Sequence, residues 1–370
     1  MTTLRLAMAI IAALVASSLI SGMPTGIALG AASGRTAHPL VFSVQDLGVL
    51  NRGIDAEAYG LDDHGEVTGQ SQVVTGRKGH QTLATHAFLF ARGKLRDLGA
   101  PPNESDSFGR GISSSGWIAA FAKPADRQTV YPALAHVHGS RVTWTKLAAP
   151  AGAHVPGEAL GLNGGRVVAG WTQGSGALQW KIGSSTKGRA LKGGSKGQAD
   201  AISASGDIAG YVVSGSSRAI VWPAGSKAVY LPSFDGDSDA YAIARSSSGT
   251  IYVAGTARIR GHMRAVLWKL RRTTGHWAVK KSEDLGSLPG FADSLAYGVN
   301  GSGWVVGTCL TPKTRRAFLW HSGSIRALDS MLPGRSGWDL TVATAVNSKG
   351  QIVGYGAHHG QERPFLLTKR

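Results

Sequence analysis

The chain of 370 residues has one cysteine, Cys309, so no intramolecular disulfide can form and the fold must be held by its core. Charge is also scarce: 16% of residues are charged, and acidic groups are in deficit, with 22 Asp+Glu against 39 Lys+Arg. A charge-poor chain with 42% apolar residues and ten tryptophans excludes a coiled coil and a disordered segment. The N-terminal apolar run, Leu6 to Ile20, has 15 residues, short of the ~20 needed to span a bilayer. No window keeps a helical apolar period, which removes helical solenoids.

Glycine, by contrast, is abundant. Its 52 copies follow no every-third-residue period, so they do not signal collagen. Arg5, the apolar run and the small residues after it read as a secretory signal over 1–32, cleaved after Gly30 or Ala32. No cysteine lies near that point for lipid attachment, and a single arginine does not make a twin-arginine signal. Loss of Arg5 takes the formal charge from +17 to +16. A short linker, 33–40, then leads into one domain, 41–370, with an extracellular destination and no stable membrane span after cleavage.

One unit recurs through that domain. Its fullest copy reads Asp284-Leu285-Gly286, Ala296-Tyr297-Gly298-Val299-Asn300, Gly303-Trp304-Val305-Val306-Gly307 and Ala317-Phe318-Leu319-Trp320. The first copy has Asp46-Leu47-Gly48, Ala58-Tyr59-Gly60-Leu61, Gly65 to Gly69 and His86-Ala87-Phe88-Leu89-Phe90. Seven turn glycines (65, 116, 165, 206, 249, 303, 350) are spaced by 51, 49, 41, 43, 54 and 47 residues, a propeller-blade period. Each unit parses into four short strands, the first copy as 57–61, 66–71, 86–90 and 94–98. The seventh unit ends before a fourth strand, while Val41 to Leu47 stands at the start with no unit before it. Pairing that segment beside Pro364 to Leu367 predicts an all-β, seven-bladed β-propeller of four-stranded blades, the N-terminal strand completing the last. A six- or eight-bladed ring is the alternative within the class.

These elements resemble the HAF repeat family, whose namesake triplet stands here as His86-Ala87-Phe88. The resemblance implies an exported bacterial repeat protein. It supplies no catalytic residues.

Chemistry-bearing motifs are few. Gly193-Gly194-Ser195-Lys196-Gly197 has the letters of a nucleophile elbow but sits in a loop without the flanking strand and helix. His136 and His138 share a strand face without a third metal ligand. Asp235, Asp237 and Asp239 alternate as carboxylates suited to one weak Ca²⁺, although the EF-hand pattern fails at Ala240 and Ser246. No other cofactor is expected. Cys309 reads as a buried residue after a strand. Trp180, Trp222, Trp268 and Trp320 recur at the end of the third strand and read as core. Trp117 and Trp304 follow the turn glycine at a variable position elsewhere filled by Glu66, Arg166, Asp207, Thr250 and Gln351, which tolerates charge, so they read as rim aromatics for ligand stacking. Eight Lys/Arg lie between Arg258 and Lys281, and Lys313, Arg315 and Arg316 occupy the matching loop of the next unit.

The leading expectation is therefore a monomeric, non-enzymatic exported binding or scaffold propeller for an anionic cell-envelope or extracellular ligand, such as a wall polymer or acidic polysaccharide. Arg264, Arg271, Arg272, Lys280, Lys281, Arg315 and Arg316 would supply charge, and Trp117 and Trp304 stacking. Two alternatives remain: a glycan-active hydrolase or lyase with carboxylates meeting at the axis, and a structural module whose partner is a protein. Asp62, Asp63, Asp207 and Asp239 are the carboxylates near repeat turns that such an enzyme would draw on.

Overall fold

The computed structural model describes residues 40–370 except 78–79, 125–127, 184 and 335. The segments 1–32, read as a signal, and 33–39 of the linker lie outside the described residues.

Seven four-stranded antiparallel sheets follow one another along the chain, spanning 56–97, 106–146, 157–190, 197–230, 238–284 and 293–327, with the seventh formed by 338–369 and 42–46. They are blades one to seven here. The inner strands, Ala56–Leu61, Asp106–Ile112, Gly157–Leu162, Gly197–Ile202, Ser238–Arg245, Asp293–Val299 and Trp338–Val346, neighbour one another in ring order, and the seventh returns to the first. This is a seven-bladed propeller. Among the described residues the one helical element is a single 3₁₀ turn, Asp329–Met331, and no helix is long and apolar enough to cross a membrane.

Closure uses the N-terminal strand. Phe42–Asp46 pairs antiparallel with Gln361–Lys369, with Val44 opposite Leu367 and Asp46 opposite Phe365. Strand bounds in the first blade run longer than the turn spacing predicts, because Val67–Thr75 and Thr82–Ala91 form a hairpin extending past the sequence repeat.

The core consists of seven apolar clusters, one at each blade interface. Blades four and five, for example, bury Val221 and Leu231 against Ile251, Val253 and Trp268, and blades seven and one bury Val353 and Leu366 against Ala58 and Phe88. Trp180, Trp222 and Trp268 lie in these interfaces, and each indole N–H donates to a carbonyl of the preceding interblade segment: Ala148 at 2.8 Å, Lys192 at 2.9 Å and Pro232 at 3.0 Å. Their recurrence is thus core packing with the indole's one polar group satisfied.

Polar side chains fix the register between blades. Where an inner strand begins, Ser107, Ser238 and Ser294 accept the backbone N–H of Ala87, Ala219 and Ala265 from the blade before. Where it ends, Asn163, Asn300 and Asn347 donate to the carbonyls of Ser203, Asn347 and Asp62 in the blade after, at 2.9–3.1 Å.

Candidate functional site

One irregularity repeats in every inner strand. Pairing with the second strand shifts by one residue between Ala58 and Gly60, Gly109 and Gly111, Ala159 and Gly161, Ala199 and Ala201, Ala240 and Ala242, Ala296 and Gly298, and Ala343 and Ala345. The skipped residues are Tyr59, Arg110, Leu160, Asp200, Tyr241, Tyr297 and Thr344. A bulge leaves one residue unpaired and re-aims its side chain. These seven residues are half-buried and each follows a buried residue, and four of them make contacts across blades: Tyr59 with Tyr355 at 6.2 Å, Tyr241 with Tyr297 at 5.8 Å, and the Arg110 guanidinium 3.9 Å over the Tyr59 ring. They form a ring around the axis, one side chain per blade.

Small residues make the bulge possible. A Cβ at Gly307, on the second strand opposite the bulge, would overlap the Leu295 carbonyl, and the same clash exists at Gly69, Gly170, Gly210, Gly255 and Gly354. On the inner strand, a Cβ at Gly298 would lie 3.0 Å from the Cα of Ala345 in the next blade.

Two residues before each bulge, a second tier pairs across to the next strand: Glu57 with Gln70, Phe108 with Phe121, Glu158 with Trp171, Gln198 with Tyr211 and Asp239 with Thr256. Tyr59 Oη and Gln70 Nε2 donate to Glu57, Gln70 at 2.9 Å. Trp171 Nε1 donates to Glu158 at 3.4 Å, Gln198 Nε2 to Asp200 at 2.8 Å, Tyr211 Oη to Gln198 at 3.1 Å and Tyr241 Oη to Asp239 at 3.3 Å.

The axis is acidic in a basic chain. Glu57, Glu158, Asp200, Asp239 and Glu362 gather there, with Arg110 and Arg315 as the cations acting on them. Glu57 and Glu362 are neighbours, and burial together with the Glu57 charge pushes the Glu362 carboxyl up to about 7. Burial likewise raises Glu57 and Glu158. Asp200 is raised well above the carboxylate range, first by burial and then by the charge of Asp239.

The sequence-predicted residues do not converge. Arg264, Arg315 and Arg316 begin third strands, at the end where the interblade segments enter. Arg271 and Arg272 lie at the far end of the strand that Arg264 begins, roughly 23 Å away at the usual rise per residue. Lys280 and Lys281 sit midway on the outer strand of that blade. Several are engaged: Arg264 with Ser287 at 3.0 Å and Ala292 at 2.9 Å, Arg271 with Thr250 at 3.1 Å, Lys281 with Glu283 at 2.9 Å, and Arg316 bidentate with Asp329 at 2.9 and 3.0 Å. Arg315 is the one of the seven that acts on the axial groups, on Tyr297, Tyr355 and Glu362.

Trp117 stacks on His136 at 3.9 Å with an 8° interplanar angle, and Trp304 packs between His321 and Gly350. Both are half-buried. The three aspartates of the cation motif take different partners: Asp235 accepts the Arg260 N–H, Asp237 the Ser217 N–H at 2.8 Å, and Asp239 the Tyr241 hydroxyl. Among the described residues no group of three or more His, Cys, Asp or Glu is arranged to hold a metal ion.

Of the turn carboxylates, Asp207 is fully buried in a bidentate pair with Arg245 of the next blade, and Asp62 accepts the His64 and Glu66 N–H groups of its own turn. Cys309 is buried, accepts the Leu288 N–H at 3.4 Å and has its thiol pushed up to about 11 by burial. The sequence reading missed Glu57, Arg110, Glu158, Asp200 and Glu362. Of these, Arg110 and Asp200 stand at the bulge, the residue after the recurring Ala or Gly of the inner strand, a position that no one residue type marks.

No family model matches the chain, and no curated protein matches it in sequence. Among solved structures, a catalytically inactive virginiamycin B lyase from Staphylococcus aureus with quinupristin is similar at a TM-score of 0.51 and 10% identity, over 88% of this chain and 99% of that one. A streptogramin B lyase is similar at a TM-score of 0.52 and 9% identity, over 89% and 98%. At these identities the likeness is one of fold.

Proposed function

We propose that the chain is an exported, non-enzymatic binding propeller that holds a hydroxyl-rich extracellular ligand at the acidic end of its axis. The ring of seven bulged residues carries this reading, because it aims tyrosine, arginine, aspartate and threonine groups from different blades at one place. Tyrosine hydroxyls, amides and carboxyls around the axis supply the alternating donors and acceptors that a glycan's hydroxyls need, with aromatic faces beside them. An anionic polymer would meet five carboxyls there, so the basic residues do not extend that site.

Carboxylates do meet at the axis, as a glycan-active enzyme requires. Binding is favoured, however, since Glu57 is taken up by the Tyr59 hydroxyl and the Gln70 amide and Glu158 by the Trp171 indole, which leaves neither poised as the free acid or base that glycoside hydrolysis uses. The similar lyases lend their fold to this reading and no step of their chemistry.

The test is calorimetric titration of soluble glycans into the wild type and Tyr297→Phe. Loss of that hydroxyl should weaken binding about five- to tenfold with the melting temperature unchanged. Unchanged affinity in the variant contradicts an axial site. A polyanion remains a second reading for the exposed Arg271, Arg272 and Lys280 of blade five, and its mark is retention on an anionic matrix that falls steeply with salt.

A further inference from the structure

The charges at the axis are unevenly distributed. Arg110 and Arg315 stand beside the blades that carry Glu57 and Glu362, and Arg110 also acts on Glu158. Blades three to five contribute Glu158, Asp200 and Asp239, and among the described residues no cation acts on Asp200. One of its carboxyl oxygens takes the Gln198 amide. The other, Oδ2, is enclosed and has no hydrogen-bond partner among the described residues.

A buried carboxyl oxygen left without a partner is costly, and native structures keep such groups where something else completes them. Asp200 is moreover a bulge residue, so the fold spends a strand irregularity on aiming it at the axis. Around it stand the hydroxyls and rings of Tyr211 and Tyr241, with the Trp171 indole on Glu158. Carboxylates backed by aromatic faces suit a protonated amine, which brings several donors and a positive charge in a group small enough to be enclosed. A metal ion is the poorer occupant, since among the described residues no three carboxylates are arranged to ligate one.

We propose that the acidic crescent formed by Glu158, Asp200 and Asp239 seats a protonated amine, making the preferred ligand an amino sugar oligomer with free amines. This rests on the axial binding reading above. The ammonium charge offsets the burial and the Asp239 charge that favour protonated Asp200, so bound Asp200 releases its proton to solvent and accepts the ammonium group through Oδ2, with Asp239 and Glu158 supplying the field around it.

The experiment titrates three probes by calorimetry: a glucosamine oligomer with free amines, the same oligomer fully N-acetylated, and a simple alkyl diamine. Asp200→Asn keeps the shape and removes the charge, and Asp239→Asn serves as a second variant. Thermal melts establish that both fold. The free-amine oligomer should bind the wild type and lose roughly tenfold or more in Asp200→Asn, while the acetylated oligomer binds weakly and equally to both. Equal affinity for the two oligomers with no effect of Asp200→Asn overturns the amine site and leaves the glycan reading standing. Binding of the diamine alone, dependent on Asp200, supports the amine site and overturns the glycan reading. No binding of any probe overturns both.

Discussion

At the scale of single residues, the axis is where the chain carries unsatisfied chemistry, and its titration should show. Glu362 has an ordinary value of 4.5 and sits at about 7 in the folded protein through burial and the Glu57 charge. Between those values the folded state keeps a proton that the unfolded chain has lost. The resulting stability is fully present below the unfolded value and is lost as pH rises through about 7. Glu158 and Asp200 are raised in the same direction and add to the same slope. The melting temperature should therefore fall as pH rises through this window, and Glu362→Gln should flatten the fall. An identical slope in the variant would mean that the Glu57–Glu362 pair, which titrates as a unit, is not its source.

At the scale of the strand, one device serves both architecture and site. A bulge in each inner strand re-aims one side chain toward the axis, and the opposing residue of the second strand is glycine in six blades and Ala120 in the second. Gly307→Ala places a methyl group against the Leu295 carbonyl, so it should cost about 2–3 kcal/mol of stability, measurable by denaturant unfolding. A neutral substitution would show that the strand has room to relax. The same device explains what the sequence could and could not reveal. The turn glycines and the third-strand aromatics are locally constrained, so their recurrence gave the blades, their number and the closing strand. The bulge position is constrained only in backbone shape and takes Tyr, Arg, Leu, Asp or Thr, so no residue pattern marked it. Charge misled in the opposite way: the basic residues of 258–281 are adjacent in sequence, but a 12-residue strand, His262–Thr273, carries Arg264 and Arg272 to opposite ends of the blade.

At the scale of the whole molecule, the ring closes through five residues, Phe42–Asp46, and Phe42 is fully buried in the interface of blades six and seven. Removing residues up to Asp46 leaves the edge of Gln361–Lys369 unpaired. The expected outcome is loss of a single cooperative melt and association on size-exclusion chromatography, because an exposed strand edge templates pairing. A monomeric truncated chain with an unchanged melt would show that the ring does not depend on this closure. The glycine excess also changes meaning at this scale. Part of it shapes turns, and part lets seven inner strands come close enough to build an axis.

The central claim is that ligand is held at the axis and not on the basic outer hairpin. Its most direct test is titration of one free-amine glycan oligomer into two variants in parallel, Asp200→Asn at the axis and the double change Arg271→Gln with Arg272→Gln on the hairpin. The account predicts weakening in the axial variant and wild-type affinity in the hairpin variant. Weakening in the hairpin variant with wild-type affinity at the axis would contradict it.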